Sequence, residues 1–404
     1  ICLQGPTNLK QKFVRSWGRL DMKFDESLLY NIKSDYQGIR YSLFDLAIWK
    51  NGLAFKKIDF SDKGLPVIKI AELNNGISSN TSFTQGDYGK EVFVQWDDLL
   101  FSWSGNPQTS IDVFRYRLPD GWLNQHIFKV TANSELVTKD FIYYTLKYLK
   151  PYFTQIAINK QTTGLGHVTI ADLKRMSVVI PKKEIQEQVT SILKVIDDKI
   201  EVNSNINENL EQQIEAIFNN KYAPSLCSPN WVVGTIGDVV TLQRGYDLPK
   251  DKMVSGSYPV AGSTDTIFYH NEYTTEAPCV VMGRSGNIGK PRLYMERCWA
   301  HNTTLFVKDF KGNNPYWSYY MLRSIDYSQF RGGSAVPTLN RNHVHSFEIS
   351  IPPVSQQNEF AEIILPLLLL IENNRKEIKR LSTLREALLP KLMAGEFDVS
   401  NIQL

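Results

Sequence analysis

The best candidate for phosphate chemistry in this chain is one glycine-rich segment, residues 283–291. Its order, Gly-Arg-Ser-Gly-Asn-Ile-Gly-Lys-Pro, places a lysine after glycines, as in loops that hold nucleotide phosphates. The outer glycines are one residue too far apart, and Pro291 stands where a magnesium-binding Ser or Thr belongs. We therefore predict no nucleotide site here. ATP binding that is lost on Lys290→Ala would revive a nucleotide-dependent enzyme as an alternative.

Other catalytic and metal-binding patterns are weak. The sequence has no G-x-S-x-G elbow, no H-E-x-x-H and no G-x-G-x-x-G after a strand. His343 and His345 form an H-x-H without nearby Cys or carboxylate partners, which does not predict a metal site. The acidic residues are spread like surface charges. We expect a chain that performs no catalysis and holds no metal or cofactor of its own.

Polar, basic and glycine-containing loops are the stronger candidates for a binding site. Their side chains are of the types that contact phosphates and base edges, and glycine lets the backbone approach a ligand closely. Ordinary solvated loops have the same composition, and that alternative stays open for each position. The candidate DNA-contacting residues are Lys56, Lys57, Ser104, Asn106, Lys160, Thr162 and Thr163, and, later in the chain, Arg244, Lys250, Arg284, Ser285, Asn287, Arg331 and Ser334.

An internal repeat relates the two groups of loops. Asp45 and Asp238 are 193 positions apart, and so are Gly52 and Gly245. The offset then falls steadily along the chain and reaches 171 where an Ile-Pro pair occurs at 180–181 and again at 351–352. Shorter loops in a second copy produce such a falling offset, because loops tolerate deletions. The sequence therefore predicts a tandem duplication.

Each copy contains short β-type runs with at least one helix, followed by a long helix. This pattern predicts a mixed α/β (α+β) fold with two tandem globular domains. The predicted boundaries are an unassigned N-terminal extension at 1–42, a first domain at 43–180, a first long helix at 181–224, a second domain at 225–350, and a second long helix with the C-terminal tail at 351–404.

Both long helices carry one apolar stripe, with spacings of three and four residues. Isolated helices would expose these stripes, so we expect the helices to pack on each other. An antiparallel pairing would bring together two asparagines that interrupt the stripes at their midpoints, unless both face solvent. Pro366 should kink or delay the second helix. The candidate packing residues are Ile196, Ile200, Asn203, Leu210, Leu367, Ile371, Asn374 and Leu381.

Composition indicates a soluble protein of several domains. The chain has 404 residues, a formal net charge of +3 and 42% hydrophobic residues, and its longest apolar run is too short to cross a bilayer, which needs about 20 residues. The charge permits a nucleic-acid partner without arguing for one. The four cysteines show no disulfide-like spacing, which favours a reducing, cytoplasmic location.

The order of domain, long helix, domain and long helix resembles the specificity subunit of Type I restriction-modification systems. The first copy carries the resemblance at Leu43-Phe44-Asp45, Gly52 and Pro66, and the second from Trp231 to Asp238 and at Gly245. The most specific segment is 384–396, Leu-Arg-Glu-Ala-Leu-Leu-Pro-Lys-Leu-Met-Ala-Gly-Glu. Gln186 after Ile180-Pro181, and Gln357 after Ile351-Pro352, are similar to that family's entries into its spacer helices.

The resemblance implies that each globular domain is a target-recognition domain for one half of a split double-stranded DNA site. It implies that the helices form an antiparallel coiled coil that sets the distance between the halves. It further implies two partner methyltransferase subunits, which bring S-adenosylmethionine, and restriction subunits that use ATP and magnesium. No membrane partner is expected. Two alternatives remain open: the recognition part of a fused restriction-methyltransferase polypeptide, since the chain starts at Ile1 instead of methionine, and a tandem interaction scaffold unconnected with DNA.

Overall fold

The computed structural model describes residues 32, 34–161, 164–285, 288–330, 338–397 and 399. The chain divides into two compact units. Unit 1 comprises the chain up to Asp198 and again from Ser382 onward, and unit 2 comprises Lys199–Leu381. Both units mix helices and strands, which confirms the predicted α+β class and the two tandem domains.

Unit 1 begins with short strands and small helices and ends in a long helix. Its strands are β1 (Gly38–Ser42), β2 (Ala47–Asn51), β3 (Leu65–Ile68), β4 (Phe83–Thr84), β5 (Phe93–Val94), β6 (Leu99–Ser102), β7 (Ser104–Gly105), β8 (Asp112–Arg115), β9 (Gly121–Leu123), β10 (Ile127–Ala132), β11 (Gly166–His167) and β12 (Ser177–Pro181). Its helices are α1 (Ile70–Asn75), α2 (Lys139–Tyr148), α3 (Lys150–Asn159) and α4 (Ile170–Arg175), and α5 (Lys183–Lys221) starts here and continues into unit 2.

Unit 2 follows the same order with fewer elements. Its strands are β13 (Val232–Thr235), β14 (Thr241–Arg244), β15 (Ser255–Ala261), β16 (Thr266–His270), β17 (Cys279–Gly283), β18 (Gly289–Tyr294), β19 (Trp299–Ala300), β20 (Thr304–Asp309) and β21 (Glu348–Ile351). Its helices are α6 (Ile236–Val239), α7 (Pro315–Arg323) and α8 (Arg341–His345), followed by α9 (Val354–Ala394), whose last turns belong to unit 1.

The central sheets of the two units have the same strand order. The central sheet has the order β2-β10-β6-β8 in unit 1 and β14-β20-β17-β18 in unit 2. An antiparallel pair of the first and last strands accompanies it, β1 with β12 and β13 with β21. A parallel pair also recurs, in which Val67 lies opposite Trp122 and Val260 lies opposite Trp299. Shared strand order and shared parallel pairs match the duplication predicted from the falling offsets.

The first unit begins before the boundary predicted at residue 43. Strand β1 ends at Ser42 and pairs along its whole length with β12. Ile32 is buried in the core of unit 1, and the backbone N–H of Asp35 donates to the carbonyl of Ala394 at 2.7 Å. Residue 32 and the segment 34–42 therefore belong to unit 1, because their contacts are with β12 and with the core and last helical turn of that unit. Residues 1–31 and 33 lie outside the described residues.

The start of each long helix is fastened by a buried glutamine. Gln186 accepts a hydrogen bond from the backbone N–H of Thr138, the N-cap of α2, at 2.9 Å, and it donates to the carbonyl of Pro181. Gln357 accepts from the N–H of Asn314, the N-cap of α7, at 2.8 Å, and it donates to the carbonyl of Pro352. Each glutamine thus joins the long helix to the helix of the preceding domain.

The two long helices run antiparallel in unit 2. Lys221 near the end of α5 pairs with Glu359 near the start of α9 at 2.6 Å, and Asn203 donates to Glu377, much further along α9, at 2.7 Å. In unit 1 the pair continues with an ion pair of Asp197 and Arg385, whose Oδ1 and Nη1 are 2.6 Å apart. No helix among the described residues combines the length and apolarity needed to cross a membrane.

The packing residues predicted from the stripes lie along this helix pair. Their burial falls into two classes: Ile196, Asn203, Ile371 and Asn374 are buried, and Ile200, Leu210, Leu367 and Leu381 are half-buried.

One predicted contact is wrong: Asn203 does not bond Asn374. The amide nitrogen of Asn374 donates to Oδ1 of Asn207 at 2.9 Å, and Asn203 bonds Glu377 instead. Both asparagines are nevertheless buried, so the solvent-facing alternative is also wrong. The expected delay at Pro366 is wrong as well, because α9 begins at Val354 and is continuous across the proline.

Candidate nucleic-acid interface

The two segments that first suggested nucleotide or metal chemistry have structural roles. Strands β17 and β18, on either side of the glycine-rich segment, are antiparallel neighbours, so the segment joins a hairpin and does not lead from a strand into a helix. A phosphate-binding loop needs that strand-to-helix geometry. Nε2 of His345 accepts from the backbone N–H of Leu242 at 2.9 Å. In the described part of the chain, no group of three or more His, Cys, Asp or Glu could hold a metal ion.

In unit 1, three loops meet at one edge of the central sheet. Strands β2 and β6 end there, and β10 begins there. We call this loop edge 1: residues 51–52, 103–104 and 124–126. The N–H of Gly52 donates to the carbonyl of Ile127 at 3.0 Å, and a Cβ at Gly52 would overlap the carbonyl oxygen of Asn124. Only glycine permits this close approach, so the repeated glycine serves to hold two loops together.

A tryptophan connects the loops of loop edge 1. The backbone N–H of Trp103 donates to the carbonyl of His126 at 3.2 Å, and its indole N–H donates to Oδ1 of Asn51 at 3.0 Å. The rings of Trp103 and His126 lie 5.6 Å apart between centroids. The surface is therefore an amide and aromatic platform at the end of the central sheet.

Unit 2 has the equivalent edge at the ends of β14 and β17 and the start of β20. We call this loop edge 2: residues 244–245, 284–285 and 301–303. The N–H of Gly245 donates to the carbonyl of Thr304 at 3.0 Å, and a Cβ at Gly245 would overlap the carbonyl oxygen of His301. The N–H of Arg284 donates to the carbonyl of Thr303 at 3.0 Å. Nε of Arg244 lies 3.4 Å from the carbonyl oxygen of Asn302.

The charge of loop edge 2 comes from its two arginines. Burial lowers the pKa of His301 below its ordinary value, and the nearby Asp247 only partly offsets this effect. This shift favours the neutral form of His301. Asp247 accepts a hydrogen bond from Asn302 at 2.6 Å, which fixes the loop next to Arg244. A surface with two guanidinium groups on a fixed backbone suits phosphate oxygens or the acceptor edge of guanine.

Four of the candidate residues predicted from sequence lie on these two edges: Ser104 on loop edge 1, and Arg244, Arg284 and Ser285 on loop edge 2. Lys56 and Lys57 are exposed at a 3-10 turn that follows β2, and Lys250 is exposed at a similar turn after β14. Thr162, Thr163, Asn287, Arg331 and Ser334 lie outside the described residues.

Two candidates are engaged in structural contacts. Nζ of Lys160 donates to both carboxylate oxygens of Asp172, at 2.5 and 2.6 Å, and Asp172 is buried. Burial raises the pKa of this carboxyl, but the hydrogen bonds from Lys160 and Thr169 outweigh burial and hold it below its usual value. Lys160 therefore stabilises the start of α4. Oδ1 of Asn106 accepts from the N–H groups of Gln108 and Thr109, which shapes the turn after β7.

The search by residue type missed several members of the edges, namely Asn51, Trp103, His126, His301 and Asn302. A usable signal was present for one of them. Asn51 precedes the repeated glycine at 52 and occupies the position of Arg244 in the second copy, at the same offset of 193. His126 and Asn302 carry no such signal, because they reach the edges only through the sheet order.

Comparison with known proteins is consistent with the duplicated architecture. A sequence model of the Type I restriction modification DNA specificity domain matches twice, at residues 40–212 and 229–383. The chain is 22% identical over 316 residues to the Type I restriction enzyme MjaIX specificity subunit of Methanocaldococcus jannaschii, which covers 66% of this chain and 71% of that protein. The MjaVIII specificity subunit of the same organism is 21% identical over 384 residues, covering 83% and 87%.

A solved structure has the same fold. The crystal structure of the S subunit of a Type-I restriction-modification system from M. genitalium aligns with a TM-score of 0.57 and 16% identity, and the alignment covers 90% of this chain and 98% of that one. At this level of identity the likeness concerns the fold.

Proposed function

Since this chain belongs to the Type I restriction modification DNA specificity domain family, we propose that it selects a bipartite DNA target, with unit 1 reading one half and unit 2 the other. The observation that carries the proposal is the repetition of one edge. In each unit, the equivalent strands of the central sheet lead into a cluster of polar loops at one edge. The residues in these loops differ between the two units. A shared scaffold with different loops suits two readers of different sequences.

We propose that the chain chooses the site and that partner subunits carry out the reaction. The family is one of specificity domains and not a catalytic one. Two methyltransferase subunits would bring S-adenosylmethionine, and restriction subunits would bring ATP and magnesium. The small net charge of +3 agrees with partners that share the phosphate contacts.

The long helices supply the distance between the half-sites in this proposal. α5 and α9 contribute to both units, and in unit 2 they contact each other through hydrogen bonds such as Asn374 to Asn207 and through the packed rings of Phe218 and Phe360. A helix rises about 1.5 Å per residue, so its length is a ruler with small steps. A cytoplasmic location fits this function, because the cysteines at 227, 279 and 298 are free thiols, as expected in a reducing compartment.

The direct test is a comparison of DNA methylation in a host with and without the gene for this chain, under conditions where its methyltransferase partners are expressed. We expect one bipartite adenine-methylated motif to disappear on deletion and to return when the gene is restored. Restoration with a chain that carries Lys308→Gln, at the end of β20 away from loop edge 2, should return the same motif. If every methylated motif survives deletion in an actively methylating host, the proposal is wrong.

A further inference from the structure

Backbone hydrogen bonds place two pairs of residues at equivalent positions on the edges. Asn51 and Arg244 each precede the glycine whose N–H bonds the first residue of the neighbouring strand, Ile127 or Thr304. Trp103 and Arg284 each donate their N–H to the carbonyl of the residue just before that strand begins. The equivalence therefore rests on shared hydrogen bonds and does not depend on a sequence alignment.

The equivalent pairs have opposite chemistry. In unit 1 the indole N–H of Trp103 donates to the amide oxygen of Asn51, so the two uncharged side chains are bonded to each other. In unit 2 both positions are arginine. Arg244 is exposed, and among the described residues its side chain makes one hydrogen bond, in which Nε donates to the carbonyl of Asn302 at 3.4 Å. The guanidinium of Arg284 makes no hydrogen bond within the described part of the chain.

The backbones of the two arginines are fixed by the central sheet. Arg284 is fixed on both sides, because its N–H donates to Thr303 and its carbonyl accepts from Leu339 at 2.8 Å. Arg244 ends β14, and β20 is the one strand between it and β17. Strands lie about 4.8 Å apart, so the two backbones are about 10 Å from each other, which spans about three base-pair steps.

We infer that Arg244 and Arg284 read guanine in the half-site bound by unit 2, whereas the Asn51–Trp103 pair gives unit 1 a different base preference. The inference rests on the proposed function. Arginine presents two parallel N–H groups to O6 and N7 of guanine in the major groove, and it is the commonest side chain in that contact. Both arginines are attached to backbone that is fixed at strand ends, which favours contact with bases over contact with phosphates. A flexible lysine, such as the exposed Lys250, can contact a phosphate equally well.

The test uses the full-length chain with its methyltransferase subunits and duplex DNA that carries the native motif. The variants are Arg284→Lys and Arg244→Lys, which keep the charge and remove the two-pronged donor. Lys308→Gln is the matched control, because it removes a charge from the other end of the same sheet. The half-site of unit 1 is identified as the one altered by Trp103→Ala, and the other half belongs to unit 2.

We expect the unit 2 half-site to contain guanine, and each lysine variant to lower the preference for one guanine over adenine about ten- to a hundred-fold in competition binding. The unit 1 half-site and the behaviour of the control should not change. Equal weakening on every sequence, or an unchanged preference in both variants, would mean phosphate contact and would overturn the inference.

Two further readouts keep the outcome clear. A unit 2 half-site without guanine overturns the inference with no variant needed, so a variant that fails to fold does not rescue it. Arg284→Gln should behave like Arg284→Lys if the base contact is lost, and should be far weaker on all DNA if only charge matters. Absence of any bipartite motif in the host would instead contradict the proposed function itself.

Discussion

At the scale of single residues, the partner of a side chain decides its role. Lys160 and Arg284 are both cations beside glycine-containing loops, and their sequence contexts look alike. Lys160 faces the buried Asp172 and bonds both of its oxygens, whereas Arg284 extends from a strand end at loop edge 2. A buried carboxylate requires a cation or hydrogen-bond donors, so Lys160 has a structural role as the partner of Asp172. Arg284 is bonded to no such carboxylate among the described residues, and we assign it to DNA.

The clearest residue-scale mark of the duplication is the pair Gln186 and Gln357. Both are fully buried, and both connect a helix N-cap with the carbonyl of the proline that precedes their own helix. A glutamine amide offers one acceptor and two donors, and this arrangement uses both kinds. Such complete use explains why the residue recurs at the same offset of 171 as the Ile-Pro pair.

Replacing Gln357 with alanine should destabilise the protein by about 1–3 kcal/mol, because the half-buried N–H of Asn314 and the buried carbonyl of Pro352 would lose their partner. Urea unfolding followed by circular dichroism measures the change. Gln212→Ala, on an exposed part of α5, is the control and should change stability by less than about 0.5 kcal/mol. A loss for Gln357→Ala no larger than the control's would contradict this role.

At the scale of elements, the helix pair shows how far periodicity can predict packing. Along α9, Ile363 is exposed, whereas the neighbouring Ile364 is buried. In a run such as Ile-Ile-Leu-Pro-Leu-Leu-Leu-Leu, several phases of a 3.6-residue period fit equally well. The partner helix decides between the phases, because only one of them faces the core of unit 2.

The asparagine pair of the long helices predicts a double-mutant result. Asn374→Leu alone should cost about 1–3 kcal/mol, because it removes the partner of the buried Asn207 amide. The double change Asn207→Leu with Asn374→Leu should recover most of that loss, because two apolar side chains can pack against each other there. A double-mutant cycle on urea unfolding measures this coupling.

Asn205→Leu is the control for this cycle, since Asn205 is exposed on the same turn of α5. It should show no coupling with Asn374→Leu. A double variant as unstable as the sum of its two single variants would mean that the two asparagines act independently.

At the scale of the whole molecule, the duplication gives two similar scaffolds that carry different loop surfaces. The units share the strand order of the central sheet, the parallel pair and the buried glutamines. They differ on the loop edges, where unit 1 has Asn51 and Trp103 and unit 2 has Arg244 and Arg284. The chain as a whole carries a net charge of only +3. Two arginines on one edge therefore provide charge at the position where the proposal needs it, without making the whole molecule strongly basic.

Lengthening both long helices in step should lengthen the spacer of the DNA target. Seven helical residues inserted after Ser204 in α5, with seven more after Lys376 in α9, add about 10.5 Å to each helix, or about three base pairs. These sites lie opposite each other in unit 2, where Asn203 meets Glu377. Methylation sequencing should return the same two half-sites with a longer gap.

Insertion in α5 alone is the comparison for this experiment. It shifts the helix register and should abolish methylation, because the buried asparagine and apolar contacts of the pair cannot form. A paired insertion that methylates the original motif with its original gap would refute the role of the helices as a ruler.

The sequence by itself determined the features that local order encodes. Falling offsets predicted the duplication, the Ile-Pro pairs placed the starts of α5 and α9 within three residues, and motif spacing argued against a phosphate-binding loop at residues 283–291. These features depend on residues that are close together in the chain or on an order that deletions preserve. The start of unit 1 before residue 43 could not be found in this way, because β1 is fixed in the fold by its pairing with β12, far along the chain.

Only the tertiary structure decided which residues share a surface. Asn51, Trp103 and His126 are separated by long stretches of chain, and they meet because β10 lies between β2 and β6 in the sheet. In the same way, Asn374 meets Asn207 and not Asn203, because the register of an antiparallel pair is the sum of all contacts along both helices. Long-range pairing minimises the energy of the whole fold, and no short segment carries that information.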